Sequence, residues 1–219
     1  MNPEFWQSRW QEGRIGFNQP AVNPLLIKYW PELQLPVGSR VFVPLCGKSI
    51  DMQWLAAQGY DVMGIELVES AVQAFFAEQN IVPTIHEHST IPTLKYYQGQ
   101  LSGQTITLWV ADIFALTAND IGSIDAIYDK ASLIALPADM RVAYSEQIHK
   151  MSGNAPQLLI TLNYDQSKKN GPPFSISDEQ VRQYYGEHYQ ISELASEPTS
   201  IGSTPDLTVT EYVWLLNPN

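Results

Sequence analysis

Apolar and polar positions along the chain are organised around one unit running from Arg40 to Glu66. Arg40 to Pro44 (RVFVP) is a short apolar run of the kind that forms a strand buried on both faces. A break follows at Leu45, Cys46 and Gly47. Ile50, Trp54, Leu55 and Ala57 then recur at helical spacing, and Gly59 closes that helix at its C-terminal end. Tyr60 to Ile65 is a second apolar run and stops on an acid, Glu66. Strand, glycine turn, helix, strand and terminal carboxylate predict a βαβ unit.

The remaining pattern extends this unit on both sides. Ahead of it, a short helix starting near Pro3 carries Phe5, Trp6 and Trp10, the two tryptophans four apart and so on one face. Gly13 and Gly16 precede Phe17, and a second helix is expected from Asn23 to Leu33, with Trp30 covering one edge of the sheet. After Glu66, Val68 to Asn80 reads as a helix with Val72, Phe75 and Phe76 facing the sheet. Pro83 to Pro92 is polar and reads as irregular. Lys95 to Gln98 and Gln104 to Ala111, flanking Gly99 and Gly103, predict a hairpin leading into a strand that ends on Asp112.

Ile124 to Tyr128 is the next strand, with Asp129 and Lys130 at its C-terminal end, where ligands of open α/β sheets collect. Pro137 to Met151 is a helix and Gln157 to Leu162 a buried strand. Residues 163–177 (NYDQSKKNGPPFSIS) form a breaker-rich connection of the length that serves as a flap. Ser177 opens another helix. Tyr189 to Leu194 and Leu207 to Leu216 are the last strands, the final one alternating as an exposed edge strand would.

The unit's chemistry follows from what its turn lacks. An acid about 20 residues past such a turn holds a nucleoside ribose through its hydroxyls. A dinucleotide pyrophosphate requires G-x-G-x-x-G, and here only Gly47 is present. Gly47-Lys48-Ser49 has a P-loop ending, but the first glycine of that motif would fall on Phe42, inside the strand. A ligand with ribose but no phosphate fits better, and S-adenosyl-L-methionine is the common one. The competing reading is an α/β enzyme in which Glu66 only caps a strand. Asp112 is equally open, as an adenine ligand or as the start of a turn. Trp6, Trp10 and Phe17 suit either a sheet edge or a lid, since aromatic faces attract a sulfonium by roughly 0.5–2 kcal/mol each when water is excluded.

Composition narrows the partners. With 219 residues and 44% hydrophobic content, one domain is expected. A net charge of −11 argues against nucleic acid and anionic membranes, which both require a basic footprint. No apolar run approaches the roughly 18 residues of a membrane span, and Met1 to Glu4 lacks a basic region, so neither span nor signal peptide is expected. Cys46 is the only cysteine, which agrees with a reducing cytoplasm. His86 and His88 lack a third ligand, so no metal is expected.

Several pieces together resemble thiopurine S-methyltransferase, in its bacterial branch. They are Trp6 and Trp10 with Gly16-Phe17, the turn Val43 to Lys48 (VPLCGK), Gly64-Ile65-Glu66, and Asn170 to Phe174 (NGPPF). The match runs from Trp6 to the last strand. It implies a Rossmann-like class I methyltransferase fold: a seven-stranded, mostly parallel sheet with helices on both faces and an antiparallel last strand. It further implies a single domain over 1–219, with an aromatic lid over 1–35 and an acceptor-side flap over 163–177.

By the same resemblance, S-adenosyl-L-methionine is the cofactor and S-adenosyl-L-homocysteine its product. Trp6, Trp10 and Phe17 close over the cofactor, and Leu45 and Gly47 meet it at the turn. Glu66 takes the ribose, and Asp112 with Ile113 the adenine. Lys130 stands where the family commonly has Arg, contacting cofactor and acceptor. Pro172 and Pro173, with Phe17, lie against the acceptor.

Methyl transfer to sulfur is an in-line displacement that asks for alignment and exclusion of water more than for a base. Lys130 is expected to favour the thiolate. The acceptor implied by the resemblance is an aromatic or heterocyclic thiol such as a thiopurine, or another soft nucleophile, selenium and tellurium species included, and the protein is expected to be a cytoplasmic monomer. The alternatives are a non-catalytic sensor of the cofactor or its product, and a methyltransferase with a different small acceptor. Cys46 reads as a packed thiol rather than a nucleophile. Tyr164 and Lys168 have the spacing of a short-chain dehydrogenase pair, but breakers just beyond place them in a loop.

Overall fold

A computed structural model describes residues 3–202 and 206–219; the first two residues of the expected lid segment, and 203–205, lie outside the described residues. Two helices come first, α1 (Pro3–Gln11) and α2 (Pro24–Tyr29), and the expected central unit then forms as β1 (Arg40–Pro44), α3 (Asp51–Ala57) and β2 (Asp61–Glu66). Then come α4 (Glu69–Glu78), β3 (Thr84–Glu87), β4 (Lys95–Leu101), β5 (Gln104–Val110), α5 (Ala118–Ile121) and β6 (Ala126–Lys130). The chain finishes with α6 (Ala138–Ser152), β7 (Gln157–Tyr164), α7 (Asp178–Tyr185), β8 (Tyr189–Thr199) and β9 (Val209–Pro218).

One sheet runs in the order β3-β4-β5-β2-β1-β6-β7-β9-β8. Its centre, β5-β2-β1-β6-β7, is parallel throughout. The last strand, β9, enters antiparallel between β7 and β8. Strand alternation sorts side chains to two buried layers. Phe42, Met63, Ile127 and Leu159 pack with Tyr144 and Ile148 of α6 and Val181 of α7. Val41, Val43, Leu108 and Leu158 pack with Leu26, Leu55, Phe75 and Phe76 from α2, α3 and α4. Among the described residues, no helix is long and apolar enough to cross a membrane.

The described sheet has nine strands where seven are expected, and the two additional ones, β3 and β4, lie beyond β5 at one edge. The stretch Pro83 to Pro92, expected to be irregular, contributes β3, paired antiparallel with β4. All four β3 residues are exposed, so no apolar alternation announces the strand; its backbone ladder holds it, with the Thr84 hydroxyl donating to the carbonyl of Gln98 and His86 stacked on Tyr96. The predicted hairpin forms and is longer, with Leu101 opposite Gln104 across Ser102 and Gly103, both at positive φ as a two-residue primed turn requires. Gly99 lies inside β4 rather than at its end. A Cβ there would come within 2.7 Å of Ile81, so the glycine serves close packing.

The second expected helix stops early. α2 ends at Tyr29 and a 3₁₀ turn covers Trp30 to Leu33, because Pro31 has no N–H to continue an α-helical ladder. Trp30 is buried against the face of the sheet, edge-on to Tyr60 and Tyr128, rather than at its rim.

Candidate active site

The loop after β1 turns sharply. Leu45 and Gly47 both take left-handed φ, +45° and +53°, a conformation that costs a non-glycine residue about 1–2 kcal/mol. Two hydrogen bonds hold it against β2. The N–H of Cys46 donates to the carbonyl of Ile65 at 3.0 Å, and the N–H of Gly47 donates to Oε2 of Glu66 at 2.9 Å. The other carboxylate oxygen accepts from the N–H of Val68 at 2.7 Å. Burial pushes the Glu66 carboxyl up, while the N–H groups of Val68, Gly47 and Leu67 pull it back down.

Cys46 points away from this chemistry. A Cβ on Gly64 would come within 2.7 Å of its Sγ, so the small thiol fills the space that Gly64 leaves. Burial, and then the nearby Glu66 charge, raise the thiol well above its ordinary value. A thiol so held is a poor nucleophile, and the packing role is the one the structure supports.

The N-terminal aromatics reach the same turn. Trp6 and Trp10 both meet Phe17 edge-on, with ring centroids 5.7 and 5.8 Å apart. Trp10 also rests on Gly47, where an added Cβ would lie 3.3 Å from its Cζ2. Asp51, buried at the start of α3, accepts from the N–H of Asn23 at 2.8 Å and from the hydroxyl of Tyr128 at 2.9 Å. That pair fastens the segment after Phe17 to the sheet.

At the next strand end, the N–H of Ala111 donates to the carbonyl of Glu66 at 3.0 Å, which sets Asp112 beside the acid. Asp112 opens the 3₁₀ turn Ile113–Ala115, its Oδ1 accepting from the N–H of Phe114 at 3.0 Å. The side chain of Ile113 is fully buried in the core, so only its backbone is left toward the strand ends.

Lys130 ends β6, partly buried. Ala131 follows at φ +69°, and the Ser132 hydroxyl donates to the carbonyl of Pro44 at 2.8 Å, drawing this strand end to the turn after β1. The Lys130 charge is partly answered by Glu211 of β9, whose carboxyl is pushed up by burial and pulled down by Lys130.

The connection over 163–177 is anchored along its length. The N–H of Phe174 donates to the carbonyl of Ile134 at 2.6 Å and that of Ile176 to Leu162 at 2.8 Å. The Tyr164 hydroxyl donates to the carbonyl of Pro173 at 2.5 Å. Gly171 must be glycine, because a Cβ would sit 2.3 Å from the Phe174 ring. Tyr164 is thus spent on the flap and Lys168 is exposed, which leaves no dehydrogenase pair.

The sequence places Asp129 at a strand end but does not show that it is sealed in the core. It is fully buried, its Oδ2 accepting from the Tyr144 hydroxyl at 2.8 Å. Burial pushes its carboxyl up to about 6, offset in part by Tyr144 and by the N–H groups of Leu133 and Ser132. Its place immediately before Lys130 was the one available signal. His86 stacks on Tyr96, and His88 is held by Asp120 at 2.8 Å.

The family model for thiopurine S-methyltransferase (TPMT) matches residues 1–206. A thiopurine S-methyltransferase of Psychrobacter cryohalolentis is 64% identical over 217 residues, 99% of each chain. Among solved structures, one described for conversion of a disulfide bond into a thioacetal group during echinomycin biosynthesis superposes with a TM-score of 0.68. It is 17% identical and covers 100% of this chain and 93% of its own. The Burkholderia thailandensis 1,6-didemethyltoxoflavin-N1-methyltransferase, solved with S-adenosylhomocysteine, gives 0.64 at 14% identity, covering 98% and 87%. These two likenesses concern the fold.

Proposed function

Because the chain belongs to the thiopurine S-methyltransferase family, we propose that it methylates aromatic and heterocyclic thiols with S-adenosyl-L-methionine at the strand ends around Glu66. The residues there fit that cofactor. Each oxygen of Glu66 accepts one backbone N–H and keeps further lone pairs, which suits two ribose hydroxyls. The turn beside it offers no phosphate cradle, which suits a nucleoside without phosphates.

Glu66 would hold the ribose, and Asp112 with the backbone of Ile113 the adenine. Leu45 and Gly47 would line the turn, and Trp6, Trp10 and Phe17 would cover the cofactor and exclude water. Once bound, the cofactor supplies an electrophilic methyl group on a sulfonium. The protein's task is then to orient the acceptor in line with it and to keep the acceptor ionised. Lys130, at the end of β6, would favour the thiolate by its charge, with no dedicated base. Pro172, Pro173 and Phe17 would form the acceptor's walls. The same demands admit selenium and tellurium nucleophiles.

The observation that carries this reading is the Glu66 carboxylate clamped to the Gly47 turn beneath Trp10. Its test is methyl transfer from labelled cofactor to thiophenol, a thiopurine, selenite and tellurite. Methylation of the thiols is expected. Binding of S-adenosylhomocysteine without transfer to any of these nucleophiles would instead favour a sensor.

A further inference from the structure

The two histidines that lie close together in the sequence are occupied: His86 stacks on Tyr96 and His88 is held by Asp120. The other two histidines of the chain meet only in the fold. His149, in the last turn of α6, and His188, just before β8, stack face to face with ring centroids 3.7 Å apart and planes 4° from parallel. Nδ1 of His149 lies 3.3 Å from Oδ1 of Asn154. Glu146 is three residues before His149, on the same face of α6, and its Oε1 stands 3.4 Å from Nε2 of His188. That nitrogen is sealed from solvent and has no hydrogen-bond partner among the described residues. The two groups face one another without sharing a hydrogen bond.

Glu187 completes the group: one carboxylate oxygen each from Glu146 and Glu187 and a ring nitrogen of His188 lie within 4.8 Å of one another. Two ligands of one tetrahedral zinc, each bound at about 2.0–2.2 Å, stand roughly 3.3–3.6 Å apart. Glu146 and His188 already have that spacing. The backbone that carries the ligands is fixed. The N–H of His188 donates to the carbonyl of Tyr185 at 3.1 Å, and its own carbonyl accepts from the N–H of Asn219 at 3.1 Å. The carbonyl of Glu187 accepts from the Asn219 side chain at 3.0 Å. Glu187 is exposed, so its side chain is able to turn inward. Lys150 lies 3.6 Å from Oε2 of Glu146, an exposed pair of little strength, and leaves Oε1 to His188. The group sits by the start of β7 and the end of β9, since Leu216 faces Gln157 and Pro218 faces Tyr189. It is therefore at the opposite end of the sheet from Glu66 and Lys130, and the proposed reaction makes no use of it.

We propose that Glu146, Glu187 and His188 form a binding site for a divalent transition cation of the zinc class, with water in the fourth position. An imidazole with two carboxylates is a borderline donor set that zinc accepts, whereas magnesium and calcium take oxygen ligands. His149, stacked on His188, is the outer group that holds the ligating ring in its plane. The ion joins the end of α6 to the start of β8.

The test titrates the full chain, stripped with a chelator, with zinc chloride in a calorimeter. One equivalent is expected, bound at least about tenfold more weakly in His188→Ala and unchanged in His86→Ala. A large excess of magnesium should not displace it. In ¹⁵N spectra of the wild-type histidine side chains, zinc should move the His188 resonances and leave those of His86 in place. That measurement needs no variant and carries the test if His188→Ala does not fold. Glu146→Gln, at a side chain 37% exposed, should weaken zinc in the same way. The site is overturned by the lack of saturable zinc binding, by a folded His188→Ala that binds like wild type, by displacement with magnesium, or by His188 resonances that zinc leaves unmoved.

Discussion

Glu66 and Gly47 hold one another: the carboxylate that faces the strand ends also accepts the Gly47 N–H at 2.9 Å and so fixes the turn in its left-handed shape. A residue with both duties should show both losses. Glu66→Gln puts an amide N–H₂ opposite either Gly47 or Val68, both donors, leaving one buried N–H unpaired at about 1–3 kcal/mol. Calorimetry should find S-adenosylhomocysteine bound at least tenfold more weakly, and thermal unfolding should show a lower midpoint without ligand. Full affinity in this variant would remove Glu66 from the cofactor site.

Trp10 rests on that same turn, within 3.3 Å of where a Gly47 Cβ would be, and a ring that covered the sulfonium there would discriminate by charge. A cation–π contribution of about 0.5–2 kcal/mol corresponds to roughly a 2- to 30-fold change in Kd. Trp10→Ala should therefore weaken S-adenosylmethionine, which is a sulfonium, more than S-adenosylhomocysteine, which is not. Equal losses for the two ligands would reduce Trp10 to a water-excluding cover.

Asp129 gives the fold a pH dependence of defined sign. Its carboxyl is raised from the ordinary 3.8 to about 6 by burial, so between those values the folded protein binds more protons than the unfolded one. Stability contributed by this group is complete at low pH and falls as pH rises through about 6, by about 3 kcal/mol in all. Glu66 and Glu211 are raised for the same reason and act in the same direction. In urea titrations at several pH values, Asp129→Asn should flatten the decline between pH 4 and 7 relative to wild type. Parallel curves for the two proteins would contradict the assignment.

What the sequence reveals of this fold follows burial. The unit from Arg40 to Glu66 is legible because both its strands are buried and its turn needs Gly47; the glycine-closed helix between them is equally plain. β3 is hidden because its residues are all exposed, so no apolar alternation marks it. The loop over 163–177 shows its breakers, but not that Phe174 stacks between Gly171 and Arg141. Arg141 reads as an ordinary polar position on a helix, and only the fold buries it. Asp129 is similarly silent, since its partners Tyr144 and Gln157 come from α6 and β7.

Lys130 is the residue on which electrostatic and structural accounts of the reaction divide. Its charge also acts on Glu211, so part of its field is spent on the last strand. If it favours the acceptor thiolate, Lys130→Ala should lower kcat/KM for thiophenol roughly tenfold below the thiol's own pKa. The deficit should shrink above that pKa, where the acceptor ionises unaided. Lys130→Arg keeps the charge and should retain most of the activity. Lys130→Ala combined with Glu211→Gln separates the two roles. Removing Glu211 relieves any repulsion left at that strand and should restore stability, but it should leave the low-pH deficit in place. A deficit constant across pH, or one that Glu211→Gln repairs, would assign Lys130 to holding β9 instead of stabilising the acceptor.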